Sequence, residues 1–397
     1  MRKVSLFTCV CACVLTAAIT LTCVFGFRRI PGRETAEMAT QDKLSEAAEL
    51  IRENFIGEVD EEALTDYAIT GMVASLNDRW SYYMSARELE AYRDRTGNRY
   101  GGIGIVVRNT EDGLVTARVY ANSPAGEAGI QAGSRVLAVE GEDVSGLPGD
   151  AVLEKITAAI EGGKVALSLL CPDGEVRSYA LTPGVVLTEP VRASVLENGL
   201  GYIRIENFED RSAEDAIRAV EEFRAQGSGG IIFDVRTNPG GQLGELLDLL
   251  DYLLPEGKLF ISRYIDGSEE VETSDPECVS LPMAVLINEE TYSAAEFFAA
   301  ALREYGWATL VGAPSTGKGY AQITVPMKDG SAIHISHIAY FTPQGVSLDG
   351  VGVVPDLEIP VTEEELDDFY YGLLEPEEDR QLQAAVQLLA GIPANSP

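Results

Sequence analysis

The sequence predicts a mixed α/β protein built from several domains. Three patterns support this fold class: a helical apolar period over residues 35–95, short strands between glycine turns over residues 99–182, and strand–helix alternation from about residue 183. The chain of 397 residues is long enough for two or three domains, and its hydrophobic content of 46% is sufficient for ordinary packed cores.

The chain begins with a nearly continuous apolar run from Val4 to Phe27, flanked by Arg2-Lys3 and Arg28-Arg29. This run is longer than the roughly 20 residues that span a bilayer. A cleavable signal usually has an apolar stretch of about 7–15 residues and a small-x-small cleavage site. No convincing site precedes Arg28, so residues 1–30 are predicted to be an uncleaved membrane anchor, with a signal peptide as the alternative.

The overall charge is strongly acidic, because 30 Lys+Arg face 63 Asp+Glu and give a formal net charge of -33. A chain of this charge is not expected to coat nucleic acid or anionic lipid. Four of the six cysteines lie in the apolar run, and the spacing of Cys171 and Cys278 gives no argument for a disulfide. No Cys/His cluster has metal-ligand spacing, so we expect neither a metal nor another cofactor.

An apolar stripe at helical period starts at Leu44 and extends through Leu64 to Leu76, which predicts helices over residues 35–95. After Gly101-Gly102 the pattern changes to short strands and breakers. The predicted strands are residues 103–107, 114–119, 135–140 and 165–170, and the predicted helices are residues 123–130 and 151–161. These elements indicate a small β-rich domain.

From about Pro183 onward, strands and helices alternate. The predicted strands are residues 201–205, 230–235, 283–287 and 308–311, and the predicted helices are residues 213–226, 243–254 and 294–305. Such alternation favours a mostly parallel sheet with helices on its faces. A last amphipathic helix is predicted over residues 379–389.

Ser293 and Lys318 are the residues that most strongly suggest chemistry. The only histidines, His334 and His337, lie in an alternating apolar run that indicates a strand. A lysine can replace histidine as the base for a serine nucleophile if it is held neutral. Burial would have to lower the lysine pKa from about 10.4 by roughly three units. Ser293 begins a predicted helix, whose N-terminus favours developing negative charge.

Each of these segments also has a simpler interpretation. Ser293-Ala-Ala-Glu296 is a capping box, which would stabilise the helix without catalysis. The segment from Gly312 to Lys318 resembles a phosphate-binding loop, but Gly319 replaces the required Ser or Thr and a strand follows instead of a helix, which argues against nucleotide binding. The turn from Asp234 to Gly241 could direct N–H groups at an oxyanion or merely connect a strand to a helix.

Eight short motifs occur in a fixed order along the chain. They are Tyr100-Gly-Gly-Ile-Gly-Ile105, Ser123–Gly133, Gly201-Tyr-Ile-Arg-Ile205, Asp234-Val-Arg-Thr-Asn-Pro-Gly-Gly241, Ser293-Ala-Ala-Glu296, Gly317-Lys-Gly-x-x-Gln322, Gly352-Val-Val-Pro-Asp356 and Asp379-Arg-Gln-Leu-Gln383. In order and spacing the chain resembles the carboxyl-terminal processing (tail-specific) peptidases, which are serine peptidases with an embedded PDZ domain. The resemblance extends from about Asp42 to Leu389.

The resemblance implies a fold and a domain order. A helical segment over residues 31–98 would precede a PDZ domain over residues 99–182, itself inserted before a ClpP/crotonase-like α/β peptidase core over residues 183–360. A helical tail over residues 361–397 would close the chain, and the helical ends resemble those that dimerise relatives, which implies a homodimer. The resemblance also places the ectodomain outside the cytoplasm. Together with the predicted anchor this implies a single-pass membrane protein, or a secreted one if the N-terminal segment is cleaved.

The resemblance further implies roles for individual residues. Ser293 would be the nucleophile, Lys318 its general base, and Gln322 the residue that orients the lysine. The N–H group of Ala294, with that of Gly240 or Gly241, would form the oxyanion hole. In the PDZ domain the substrate C-terminus would be bound by Tyr100, Gly101, Gly102, Ile103, Gly104 and Ile105.

The sequence departs from the family pattern at a few positions. Cys171 stands where an arginine often couples peptide binding to activity, and Asn77-Asp-Arg-Trp-Ser81 replaces a more usual Asp-Pro-Tyr-Ser, with no catalytic consequence that the sequence reveals. We therefore predict a membrane-anchored serine endopeptidase that needs no cofactor and acts on proteins captured by their C-termini. The alternative is a silent or latent PDZ scaffold that only binds C-termini.

Overall fold

The computed structural model describes residues 33–110 and 113–391, and the chain divides into two compact units between residues 76 and 77. The described part of the first unit contains helices α1 (Arg33–Asn54) and α2 (Glu61–Ala74). An exposed ion pair between Arg52 and Glu61 (2.7 Å) connects them. The predicted membrane anchor lies outside the described residues. Among the helices that the structure does describe, none is long and apolar enough to cross a membrane.

The second unit begins with a β-rich portion. In chain order its elements are β1 (Tyr82–Met84), α3 (Ala86–Thr96), β2 (Arg99–Gly102), β3 (Ile105–Thr110), β4 (Gly113–Val119), α4 (Pro124–Glu127), β5 (Arg135–Val139), β6 (Glu142–Asp143), α5 (Gly149–Glu161), β7 (Val165–Leu170), β8 (Val176–Leu181) and β9 (Gly184–Leu187). Strands β3-β4-β5-β7-β8 form an antiparallel sheet in this order, with β6 paired to β5. Helix α5 buries Val152 and Ile156 against Leu167 and Leu169 of this sheet.

Strands and helices then alternate to form the core. The elements are β10 (Val191–Val195), β11 (Gly201–Ile205), α6 (Ser212–Gln226), β12 (Ile231–Asp234), α7 (Leu243–Leu253), β13 (Gly257–Arg263), β14 (Glu269–Ser274), β15 (Met283–Ile287), α8 (Ala294–Glu304), β16 (Ala308–Gly312), β17 (Tyr320–Pro326), β18 (Ala332–Phe341), β19 (Leu357–Glu358), α9 (Glu363–Tyr371) and α10 (Arg380–Ala390). The central sheet has the order β10-β11-β12-β15-β16-β19, and all neighbours after the β10–β11 pair are parallel.

The central sheet is covered on both faces, as its continuous apolar strands predict. Val285 and Ile287 of β15 pack with Phe298 of α8, whereas the alternate residues Ala284 and Leu286 pack against α10. Because β12, β15 and β16 are parallel neighbours, the loops that follow them begin at the same edge of the sheet. This arrangement brings residues 235–242, 288–293 and 313–319 together.

A second sheet lies beside these loops. It has the order β1-β18-β13-β14, and β17 pairs with the other edge of β18. Because β17 follows Lys318 directly and β1 follows residues 77–81, this sheet carries both segments to the edge where the core loops meet. The sequence predicted β17 and β18 but not β1, β13 or β14.

Helix α9 connects the β-rich sheet to the core. Arg108 of β3 forms an ion pair with Asp368 (2.9 Å), and the neighbouring Phe369 ring lies 3.9 Å from the Arg204 guanidinium and 4.0 Å from that of Arg236. Both of these arginines are buried in the core. The helix therefore contacts the edge strand of one sheet and the base of the loop that follows β12.

Candidate functional site

A cleft of about 680 Å³ opens where the loops after β12, β15 and β16 meet. All six residues that the sequence associated with catalysis or an oxyanion hole line it: Gly240, Gly241, Ser293, Ala294, Lys318 and Gln322. These residues come from four segments of the chain. The parallel order of three strands and the pairing of β17 with β18 are what bring them to one place.

Ser293 occupies the turn between β15 and α8 in a backbone conformation that is rare for a residue with a side chain (φ 60°, ψ -125°). Such conformations cost of order 1–3 kcal/mol and persist only where the surroundings enforce them. One such restraint is the Tyr292 N–H, which donates to the Asn238 carbonyl (3.1 Å). The turn places Ser293 in the lining of the cleft.

Glu296 is a fully buried carboxylate that joins two of the loops. One oxygen accepts the N–H groups of Ser293 (2.9 Å) and Lys318 (3.0 Å). The other accepts the Ser315 hydroxyl and the Gly317 N–H, both at 2.6 Å. Four charge-assisted hydrogen bonds to one side chain hold the serine turn and the lysine loop in a fixed relation.

The Lys318 amine lies over the face of Trp80, with Nζ 4.6 Å from the ring centroid. Burial lowers the pKa of Lys318 to about 8, although the charges of Asp78 and Glu296 act in the opposite direction. This change is smaller than the roughly three units that the sequence argument required. A substantial share of Lys318 is nevertheless neutral in mildly alkaline solution.

Gln322 reaches the same cleft from β17. Its amide N–H donates to the Tyr320 carbonyl (2.9 Å) and to the Ser336 hydroxyl (3.1 Å). Among the described residues, these hydrogen bonds go to Tyr320 and Ser336 rather than to Lys318. They fix the orientation of the amide beside the lysine loop.

The backbone N–H groups of Gly241 and Ala294 both lie at the cleft, and neither has an acceptor among the described residues. The Gly240 N–H already donates to the Asn238 side chain (2.8 Å). Gly240 itself must be glycine, because a Cβ there would lie 2.7 Å from the Ser293 Cβ and 2.8 Å from the Ala294 nitrogen. Of the two glycines predicted for an oxyanion hole, the available N–H is thus that of Gly241.

Several cleft residues were missed in the sequence. Trp80 belongs to the segment Asn77–Ser81, which the sequence marked only as a departure, and its ring stacks on Tyr292 (5.9 Å between centroids). Tyr340 of β18 donates its hydroxyl to the Lys318 carbonyl. Burial raises the pKa of Tyr340, whereas a contact with the Ser293 hydroxyl lowers it. The only signal for Tyr340 is the strand pattern around it. Trp80 lies in a turn, for which the sequence has no such pattern.

His334 also lines the cleft, although the sequence gave it only a place in a strand. Its Nδ1 lies 2.9 Å from the Thr324 hydroxyl, and its ring contacts those of Tyr82 and Tyr92. Burial lowers the pKa of His334 to about 4, with the charge of Lys318 acting in the same direction. His334 is therefore neutral at physiological pH and held by its neighbours.

The predicted peptide-binding residues lie apart from this cleft, in the β-rich sheet. Tyr100, Gly101 and Gly102 belong to β2, which pairs with β9, so only residues 103 and 104 form a loop before β3. The Ile103 side chain is buried, and Gly104 has a positive φ of 83° that keeps it against Ser123. Ile105 opens β3, an edge strand of the sheet beside α5.

Cys171, which replaces the arginine often found late in the PDZ domain, is buried directly after β7. Its sulfur lies 3.8 Å from the Tyr179 hydroxyl, and both Cys171 and Cys278 are free thiols. The side chain thus stays inside the β7–β8 hairpin. No charged contact to the core arises from this position among the described residues.

Comparison with known families agrees with the geometry of the chain. Residues 199–359 match peptidase family S41, residues 115–163 match a PDZ domain, and residues 28–88 match the activating protease CtpB N-terminal domain. A solved structure from Bacteroides fragilis that carries the S41 protease name covers 85% of this chain and 93% of its own, with a TM-score of 0.60 and 20% identity, and so supports the fold.

Similar relatives cover most of both chains. The carboxyl-terminal-processing protease of Synechocystis is 31% identical over 335 residues, which are 82% of this chain and 76% of the relative. The carboxy-terminal processing protease CtpA of Bacillus subtilis is 28% identical over 361 residues, 90% of this chain and 77% of the relative. The chain belongs to the carboxyl-terminal processing proteases, a serine protease family with a PDZ domain. The resemblance noted in the sequence and the predicted fold class are both confirmed.

Proposed function

We propose that this protein is a serine endopeptidase in which Ser293 is the nucleophile and Lys318 the general base. The observation that carries the proposal is that both residues line one cleft: a serine presented by a strained turn and a half-buried lysine whose pKa is lowered to about 8. A general base works best when its pKa lies near the operating pH. Glu296 accepts the backbone N–H groups of both residues and so holds the two backbones in a fixed relative position.

The reaction follows from these positions. Neutral Lys318 takes the proton of the Ser293 hydroxyl as the oxygen attacks the scissile carbonyl. The N–H groups of Gly241 and Ala294 would stabilise the negative charge that develops on the carbonyl oxygen. The Lys318 ammonium then protonates the leaving amine. In the second half of the reaction, neutral Lys318 takes a proton from the attacking water and returns it to the Ser293 oxygen as the acyl group leaves. Gln322 would accept a hydrogen bond from the lysine through its amide oxygen.

The substrate class would be set by the PDZ domain. An extended C-terminal segment would add as a strand beside the edge strand β3, with its carboxylate at the loop of Ile103 and Gly104 and its last side chain between β3 and α5. Ile105 of β3 and Ile156 of α5 belong to the same apolar cluster and would contact this last side chain. The predicted anchor within residues 1–30 would hold the enzyme at a membrane, where it would act on extracytoplasmic proteins. Two copies of the chain would form a homodimer.

The test is cleavage of an unfolded protein with an apolar C-terminus by the full chain. Ser293→Ala and Lys318→Ala are each expected to abolish turnover, because either change removes a group that moves in the first step. The exposed Ser268→Ala and Lys328→Ala are matched controls and should cleave like the parent. Cleavage is followed by the masses of the fragments.

A binding measurement separates the enzyme from the latent scaffold. A fluorescent peptide with a free C-terminal carboxylate should bind the parent and Ser293→Ala equally, and the amidated peptide should bind neither. Peptide binding without any cleavage by the parent would favour the scaffold. Cleavage that persists in Ser293→Ala would exclude the proposed nucleophile.

A further inference from the structure

The turn from Asn77 to Ser81 forms a wall of the cleft and is closed by one carboxylate. Asp78 accepts the Trp80 N–H (3.1 Å) with one oxygen and the Ser81 hydroxyl (2.5 Å) with the other. Asn77 adopts a positive φ of 54° at the start of this turn. The Asp78 side chain therefore fixes the direction in which Trp80 leaves the backbone.

The same carboxylate is connected to Gln322 through two serines. The buried Ser81 hydroxyl accepts the Ser336 N–H (3.0 Å), and the Ser336 hydroxyl accepts the Gln322 amide N–H (3.1 Å). Burial would raise the pKa of Asp78, but hydrogen bonds from Ser81, Ser336 and the Trp80 N–H lower it below its usual value, so Asp78 is ionised. A charged group thus lies at the end of a hydrogen-bonded chain that begins at the cleft.

Trp80 presents its face to the Lys318 amine at 4.6 Å and is itself held in place. The Arg79 guanidinium lies 4.2 Å from the same ring, and Tyr292, next to Ser293, stacks on it. An ammonium is attracted to the face of an indole ring. The position of Trp80 therefore determines where the Lys318 amine is most stable in its charged form.

The charged and titratable groups around the Lys318 amine come from three elements. The turn contributes Asp78 and Arg79, α8 contributes Glu296, and β18 contributes His334 and Tyr340. The Glu296 oxygens already accept four hydrogen bonds, and His334 is neutral. Of the charges that favour the ammonium, that of Asp78 has the largest influence.

We propose that Asp78 is a positioning residue of the reaction, which anchors Trp80 over the Lys318 amine and ties this wall to Gln322 through Ser81 and Ser336. This inference rests on the proposed role of Lys318 as the base. Asp78 also opposes the effect of burial, so that Lys318 can hold a proton between its removal from Ser293 and its transfer to the leaving amine. Without that charge the ammonium is less stable and the pKa of Lys318 falls.

The experiment compares Asp78→Asn with the parent chain in the pH dependence of kcat/KM. The acidic limb is expected to move to lower pH by about half a unit or more, because one nearby negative charge is removed. The plateau is expected to fall about tenfold, because the wall is held less firmly. The matched control is Asp266→Asn, since Asp266 accepts the N–H (2.9 Å) and hydroxyl (2.6 Å) of Ser268 in an exposed turn. The control should retain the parent limb and plateau.

A second readout does not depend on turnover. In the Ser293→Ala background, the rate at which an amine-acylating reagent modifies Lys318 is measured against pH by peptide mass spectrometry. Asp78→Asn should lower the midpoint of this curve by the same amount. If the parent shows no Lys318-dependent limb in kcat/KM but the acylation midpoint still moves, the proposed base is wrong while the contact with Asp78 stands.

An unchanged acylation midpoint in Asp78→Asn, within about 0.2 pH unit, would overturn the inference. Should Asp78→Asn fail to fold, Ser81→Ala takes its place. This change removes the hydrogen bond from the Ser81 hydroxyl to the Asp78 carboxylate (2.5 Å), which helps to hold that carboxylate in position. Its midpoint is expected to move in the same direction by a smaller amount. No movement in a folded Ser81→Ala protein would count against the proposal equally.

Discussion

The pH dependence of cleavage tests the identity of the general base, because the two candidate bases in the cleft differ widely in pKa. Burial lowers the pKa of Lys318 to about 8 and that of His334 to about 4. For a base of pKa 8, the neutral fraction is about one-hundredth at pH 6, one-tenth at pH 7 and one-half at pH 8. For His334 it would already be complete near pH 6.

With Lys318 as the base, kcat/KM should rise about tenfold per pH unit between pH 6 and pH 7.5 and become level above pH 9. With His334 as the base, the same range should be flat. The assay is cleavage of an internally quenched unfolded protein at concentrations well below KM, in a buffer mixture of constant ionic strength from pH 5.5 to pH 10. Melting curves at each pH confirm that the protein remains folded.

Lys318→Arg provides the accompanying variant, since an arginine side chain stays protonated throughout this range. It should lack activity at every pH, whereas His334→Gln should retain the parent limb. A flat profile between pH 6 and pH 9, or an active Lys318→Arg protein, would refute the assignment of Lys318. A limb near pH 8 that disappears in His334→Gln would refute it as well.

Two further predictions concern the same cleft. Gly240→Ala should lower kcat by at least about 100-fold, because the new Cβ would lie 2.7 Å from the Ser293 Cβ, while peptide binding by the PDZ domain is retained. Gly244→Ala is the control and should remain active, since there is open space around Gly244 in α7. Lys318→Met should raise stability at pH 7 by up to roughly 3 kcal/mol, because the pKa of Lys318 is lowered from 10.5 to about 8 by burial. Between these two pH values the unfolded chain binds more protons than the folded one, so the parent gains stability as pH rises. In urea denaturation the stability advantage of Lys318→Met should therefore be full below pH 8 and absent above pH 10.5. An equal advantage at both pH values would contradict this linkage.

Periodicity in the sequence predicted the strands and helices of the core, because β12 and β15 are apolar throughout and α8 is bounded by Ser293 and a change of pattern. It also placed the glycine, serine and lysine motifs directly after the strands that carry them. What it could not supply is the lateral order of the strands. That β12 and β15 are neighbours follows from pairing across the sheet, and only this pairing brings Gly240 next to Ser293.

The contribution of Asn77–Ser81 was unpredictable for a related reason. Strand β1 has only three residues, and it is positioned by pairing with β18, more than 200 positions further along the chain (Tyr82 with His334). No local pattern encodes such a contact. Helix α9 lies in the helical tail that the resemblance implied over residues 361–397, but periodicity did not define its bounds. Thr362 and three successive glutamates make its first turn look like a solvated acidic segment, although Thr362 and Glu365 form a capping box.

The capping box at Ser293 and the catalytic assignment looked like competing interpretations in the sequence, and the structure makes them compatible. Glu296 accepts the Ser293 N–H as a capping residue should, but its two oxygens also accept the N–H groups of Gly317 and Lys318. A carboxylate needed only for helix capping gains nothing from burial, since removal from water costs free energy that a surface cap avoids. The free-energy cost of burying the Glu296 carboxylate is offset by four hydrogen bonds from two loops. These hydrogen bonds fix the backbone of Ser293 relative to that of Lys318. The cap is therefore part of the site, and its burial is itself an argument that the two loops act together.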